Sequence, residues 1–223
     1  VTARRPVPQT VDRGDATPRR GWLRRAGGLA ARCAVGLAPA LAVPGPRGAR
    51  AADAPTGAIE PALLAALRAG GCVLVIRHAA TEPGVGDPPG FRLDDCATQR
   101  NLSEAGRVQA RRLGERLRAA GVPVDPVRSS RWCRCLETAR LAFGRVQPWP
   151  VLDSFFSDRG TQAAQTDALR AWALAFRGQA NAALVTHQVN GTALTGEWSA
   201  AGEVLVLRPD GTSLRLVGRL AAG

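Results

Sequence analysis

Between residues 59 and 220, short unbroken apolar runs alternate with longer stretches in which apolar residues recur every three or four positions. "CVLVIRH" (72–78) and "AALVTH" (182–187) are continuously apolar and short, the pattern of strands buried on both faces. "IEPALLAALRAGG" (59–71) predicts a helix with Pro61 in its first turn and Gly70 as its stop. "NLSEAGRVQARRLGERLRAAG" (101–121) predicts a longer amphipathic helix. Ser103 caps it, Val108, Leu113, Leu117 and Ala120 form its apolar face, and Gly121 ends it. "VPVDPVRSS" (122–130) is extended and leads into a helix from Trp132 to Phe143, closed by Gly144. "TDALRAWALAFRG" (166–178) predicts a further helix, and "EVLVLRPDGTSLRLVG" (203–218) a hairpin on an Asp-Gly turn.

Strands alternating with helices place the chain in the α/β class. The expected architecture is a three-layer sandwich: a mostly parallel central sheet, helices on both faces and an antiparallel C-terminal hairpin. Ligands of such sheets bind at the carboxyl ends of the strands. The chain has two histidines; His78 ends one buried strand and His187 ends the other, so both are expected on one rim.

Composition changes this picture mainly at the N-terminus. All 30 basic residues are arginine, against 18 acids, for a formal net charge of +12, and lysine, methionine and tyrosine are absent. Ten of the arginines fall in residues 1–51, beside only Asp12 and Asp15. The remaining arginines are scattered along amphipathic segments rather than gathered into a stripe interleaved with aromatics, so nucleic acid is not an expected partner. Residues 1–51 read as an export signal on a disordered basic N-terminus, and residues 52–223 as the folded domain. The signal reading rests on Arg19-Arg20 in a twin-arginine pattern, a moderately apolar stretch over 29–43 and small residues around Ala49 and Ala51. Arg32 interrupts the apolar stretch, so a cleaved signal is expected rather than a stable membrane span. The expected location is periplasmic or secreted, and cytoplasmic if the segment is no signal. The oligomeric state is not written in the sequence.

An exported domain would carry Cys72, Cys96, Cys133 and Cys135 in a compartment that permits disulfides. Four cysteines allow three full pairings. Cys72 reads as a buried thiol, and Cys96 as able to bridge to Cys133 or to Cys135. The single residue between Cys133 and Cys135 is too short for a zinc knuckle, so no metal site is expected.

Arginines complete the candidate site. Arg77 sits at the end of a buried strand, where an unpaired charge is costly unless an anion or a carboxylate meets it. Arg134 lies at the start of a predicted helix, whose free N–H groups and dipole favour anions. Two guanidiniums and two imidazoles on one rim describe a phosphate pocket.

"VIRHAAT" (75–81), "RNLSEAGRVQA" (100–110), "SSRWCRCLETA" (129–139) and "ALVTHQVN" (183–190) resemble, in order and spacing, the four blocks of the histidine phosphatase superfamily, in its phosphoglycerate mutase-like branch. The resemblance covers residues 72–218. It implies a metal-independent phosphatase, without cofactor, that hydrolyses a phosphorylated small molecule through a phosphohistidine. His78 would be the nucleophile, Arg77, Arg134 and His187 would clamp the phosphate, and Thr81 would add a contact. The general acid is open among Asp153, Asp158 and Glu82, with Asp153 preferred because it follows a short apolar run. Ala79 replaces the usual glycine, and Arg131 stands where many members have proline. Alternatives are a phosphomutase of the same superfamily or a phosphate-binding protein without turnover. The Pro- and Gly-rich loop "EPGVGDPPGFRLDDCATQR" (82–100) is expected to frame the pocket mouth.

Overall fold

A computed structural model describes residues 58–222; the export signal and the boundary at residue 51 lie outside the described residues. Helix α1 (Pro61–Arg68) opens with Pro61, whose missing N–H costs nothing in the first turn, and Glu60 accepts from the N–H groups of Ala62 and Leu63. Strand β1 (Val73–Arg77) follows, then α2 (Glu104–Ala119), where Ser103 Oγ accepts from the Gly106 N–H as expected of a cap. The chain continues through β2 (Val124–Ser129), α3 (Cys133–Phe143), β3 (Gln147–Pro148), α4 (Gln162–Ala175) and β4 (Asn181–Thr186). It ends with α5 (Gln188–Thr195), β5 (Val204–Asp210) and β6 (Ser213–Leu220).

The six strands form one sheet in the order β3-β2-β4-β1-β5-β6. The first four are parallel, while β5 and β6 run antiparallel at the far edge. Alternation along β1 explains the two-sided burial. Leu74 and Ile76 pack with Leu67 of α1, Leu113 and Leu117 of α2 and Ala139 of α3. Val73 and Val75 face the opposite way, onto Leu169 and Ala173 of α4 and Leu194 of α5. The fold is therefore the expected α/β three-layer sandwich, and none of the described helices is long and apolar enough to cross a membrane.

Three details differ from the sequence reading. The helix expected from residue 166 begins at Gln162, and α5, directly after His187, was not foreseen. In the hairpin Asp210 pairs with Ser213, so the two turn residues are Gly211 and Thr212 rather than Asp210 and Gly211. Gly211 has φ +59° and no non-glycine residue has positive φ, which suits a turn needing glycine in first place.

Helix α2 holds the segment after His78. The Ala80 carbonyl accepts from Ser103 N–H, Ala80 N–H donates to Gln109 Oε1, and a Cβ on Gly106 would lie 1.8 Å from the Ala80 oxygen. A Gly106→Ala variant must push the helix off this segment. Overpacking of this kind costs roughly 1–3 kcal/mol, so a lower urea midpoint is expected, measured by circular dichroism.

Candidate active site

Strands β1 and β4 are neighbours with Arg77 opposite Thr186, so His78 and His187 each leave the sheet one residue later, side by side. The His78 N–H donates to the Thr186 carbonyl (2.9 Å), and the two imidazole centroids lie 5.4 Å apart. Strand β2 flanks β4 on its other side and delivers Ser130, Trp132 and Arg134 to the same rim. The rim encloses a cavity of about 380 Å³ lined by Arg77, His78, Arg100, Arg134 and His187, with Asp87 and Trp132 beside them.

His78 is buried, and its Nδ1 lies 2.9 Å from the Ala79 carbonyl. A carbonyl only accepts, so Nδ1 carries the proton and Nε2 keeps its lone pair. Burial pushes the His78 pKa down to about 3; the Ala79 carbonyl opposes this, and Arg134, Arg77 and Arg100 add to the lowering. The imidazole is therefore neutral at physiological pH. The Ala79 N–H donates to Thr138 Oγ1 of α3, and the Ala79 side chain is buried in a small cluster with Leu102 and Ala110.

His187 precedes α5 and is held from behind. Its Nε2 lies 2.9 Å from Ser130 Oγ, whose hydroxyl reaches Asp153 Oδ1 at 3.2 Å. The carboxylate is the stronger acceptor, so the chain runs from His187 Nε2–H through Ser130 to Asp153 and leaves Nδ1 free. Burial, then His78 and the three arginines, lower the His187 pKa well below its ordinary value. Cys135 Sγ is 3.4 Å from the same Nε2, and burial pushes that thiol up to about 12, which keeps it protonated and unreactive.

The guanidiniums outnumber their partners. Arg134 is buried against Asp87 through two contacts of 2.7 and 3.1 Å. Burial opposes the Asp87 carboxylate, but hydrogen bonds from Arg134, the Arg100 N–H and Trp132 Nε1–H outweigh it and hold its pKa below the ordinary value. Arg77 has only the Ser199 carbonyl (2.8 Å), and Arg100 the Gly84 carbonyl. The Nε–H of each of the three is buried without an acceptor among the described residues. Helices α3 and α5 begin at this rim, and neither Trp132 nor His187 makes a side-chain cap, so the dipoles add to the positive field. One buried carboxylate, Asp87, against three guanidiniums and two helix N-termini makes the cavity a seat for an anion.

Of the residues singled out from sequence, the cavity gathers Arg77, His78, Arg134, Asp158 and His187. It does not gather Thr81, Glu82 or Asp153. Thr81 pairs with Leu102 in an isolated bridge, and Glu82 is exposed beside it. Asp153 is captured by Arg131, whose N–H, Nε and Nη2 lie 2.8, 2.7 and 2.6 Å from its oxygens, and it borders a neighbouring shallow depression instead. The carboxylates that do line the cavity are Asp87 and Asp158. Arg100 and Asp87 were missed as site residues, although both fall inside stretches quoted from the sequence. Glu137 of α3 pairs with Arg107 of α2.

The mouth-framing expectation is met by Gly84, Val85, Gly86, Asp87 and Phe91. Cys96 is bonded to Cys133, leaving Cys72 and Cys135 as buried thiols. That bridge closes a loop of 37 residues and ties the segment bearing Asp87 and Arg100 to the start of α3 beside Arg134.

Comparison with known proteins bears on the family. Among curated proteins no sequence matches the chain. Solved structures sharing the fold include a candidate alpha-ribazole-5'-P phosphatase from Escherichia coli, at 18% identity and a TM-score of 0.50, covering 66% of this chain and 95% of that one. A mycobacterial glucosyl-3-phosphoglycerate phosphatase aligns at 18% identity and a TM-score of 0.47, covering 61% and 89%. At 18% identity the likeness to the first of these speaks for the fold alone. The family itself is carried by residues 73–162, which match the model of the histidine phosphatase superfamily (branch 1). That match and the shared fold make the chain similar to the histidine phosphatase superfamily over this segment.

Proposed function

We propose that the protein is a metal-independent phosphatase that hydrolyses a phosphomonoester through a phosphohistidine at His78. The observation that carries this reading is the unprotonated Nε2 of a neutral, buried imidazole within a cavity that has three guanidiniums and a single buried carboxylate to balance them. The family match over residues 73–162 supports it.

Arg77, Arg100 and Arg134 hold the ester's phosphoryl oxygens, and the dianion draws a proton onto His187 Nδ1 by reversing the local field. His78 Nε2 attacks phosphorus in line, the P–N bond forms and the P–O bond to the leaving group breaks. The cationic imidazole so formed is stabilised by the Ala79 carbonyl on Nδ1–H. Asp158, next to the dianion that favours its protonated form, gives its proton to the departing alkoxide. Its carboxylate then takes a proton from water, whose oxygen attacks phosphorus and breaks the P–N bond, returning neutral His78 and inorganic phosphate. Asp87 is unsuited to this part, because its partners hold it ionised. Asp153 acts on orientation, through Ser130 and His187. Phosphoryl transfer rests mainly on such positioning and charge stabilisation.

A His78→Ala variant is expected to release no phosphate and to lose an acid-labile, base-stable label acquired from phosphoramidate. Retention of either overturns the reading. Asp158→Asn is expected to lower kcat/KM for butyl phosphate by about 10²–10⁴, the usual contribution of a general acid, yet barely affect 4-nitrophenyl phosphate, whose leaving group needs no proton. Asp153→Asn is expected to slow both esters alike.

The pH dependence follows from the direction of the His78 shift. The neutral imidazole is the reactive form, and a pKa of about 3 keeps it neutral at pH 5, where an ordinary histidine of pKa about 6.5 would be only about 3% neutral. With 4-nitrophenyl phosphate, and after correction for the ester's own ionisation, kcat/KM is expected to change less than about twofold between pH 7 and 5 on this account. A thirtyfold fall would contradict it.

A further inference from the structure

We propose that the site is built for phosphomonoesters whose leaving group is apolar, an alkyl or aryl chain rather than a polyol; this rests on the phosphatase reading above. The cavity has two unlike halves. Beyond the arginines and histidines its wall is Val85, Phe91, Trp132, Phe156 and Val189. Trp132 and Phe91 pack with ring centroids 5.7 Å apart, and the one polar atom of the indole is already spent on Asp87. Three of the polar side chains on that wall already have one partner each. Ser154 Oγ accepts from the Phe156 N–H, Gln188 Nε2 donates to Thr192 Oγ1, and Asp158 Oδ1 accepts from the Gly160 N–H. A polyol needs several free donors and acceptors to replace its lost water; an alkyl chain needs none.

The mouth carries the same bias. Among the described residues three large hydrophobic side chains are exposed: Val85 at 88%, Trp198 at 61% and Phe156 at 52%. Val85 and Phe156 line this cavity, and the Trp198 ring lies 5.8 Å from the Arg77 guanidinium. Exposed apolar surface gathered at one place marks a binding site. Phe156 follows the buried Phe155 and reaches the Gly86 backbone, where a Cβ would be 3.9 Å from its ring, so the two loops meet over the mouth. A leaving group emerging from the phosphate seat passes between them and takes their apolar side chains out of water.

The test uses n-alkyl phosphates from butyl to octyl, which share one leaving-group basicity, with glycerol 3-phosphate and glucose 6-phosphate as polyol counterparts. Each added methylene that becomes buried is expected to raise kcat/KM about three- to fourfold, until the chain outgrows the cavity, and the polyol esters are expected to fall at least tenfold below butyl phosphate. The matching n-alkylphosphonates, which cannot be hydrolysed, are titrated by calorimetry and should tighten along the same series. Phe156→Ser and Val85→Ser should each flatten both series. A flat or falling phosphonate series, or preference for a polyol ester, overturns the proposal. A rising phosphonate series with no turnover of any ester would leave the apolar site standing and remove the phosphatase reading instead.

Discussion

The pairing of Arg77 with Thr186 across two parallel strands is the constraint on which the site depends. Parallel strands in register end at the same rim, so the residue after each strand is presented at the same height. A slip of one residue between β1 and β4 would turn one imidazole to the other face of the sheet. The register is fixed by burial on both faces: Val73, Leu74, Val75 and Ile76 are packed from above and below, as are their partners on β4. The His78 N–H bond to the Thr186 carbonyl extends the ladder one step past the strand and locks the junction where the chemistry would sit.

Burial then sorts the charges. Removing water from a histidine favours its neutral form, and three nearby guanidiniums push the same way, so both imidazoles stay uncharged in a cavity that is otherwise strongly positive. The arginines cannot lighten their mutual repulsion by giving up protons at any ordinary pH. Their remaining relief is a negative partner, and Asp87 supplies only part of it. The missing share of negative charge is what a phosphate dianion would bring. The mutual repulsion of the arginines and the affinity expected for an anion thus have the same origin.

Much of the fold was legible because burial and punctuation agree along the chain. The apolar runs at 72–77 and 182–186 read as strands, while Ser103, Gly121 and Gly144 mark helix ends that the structure repeats. Helix α5 escaped notice because "QVNGTALT" is weakly patterned and contains a glycine, so its helicity comes from packing against α4 and β1. At the site, residues attached to strand ends were legible, since topology alone sends them to the rim. Residues on the loop over 82–100 were not. Asp87 and Arg100 are brought to the cavity by Asp87's bonds to Arg134, Trp132 and the Arg100 N–H, and no local periodicity encodes such contacts. Asp153 failed as a cavity residue for a related reason. It follows a short apolar run, as the sequence reading noted, but Arg131 reaches across and claims it.

The capture of Asp153 by Arg131 gives the two buried carboxylates parallel duties. Asp87 holds the Arg134 guanidinium, and Asp153, through Ser130, holds the His187 imidazole. Each thereby fixes the direction of one donor toward the cavity while staying engaged itself, since four polar contacts reach either carboxylate. For Asp87 these bonds also hold the carboxyl below its ordinary pKa. The lining acid outside these networks, Asp158, makes one hydrogen bond, to the Gly160 N–H, and sits on an exposed turn. Orientation requires a carboxylate with every lone pair engaged, and proton transfer requires one that is not. Under the proposed reaction the two requirements would fall on different residues, Asp87 and Asp153 orienting donors while Asp158 keeps an oxygen unengaged.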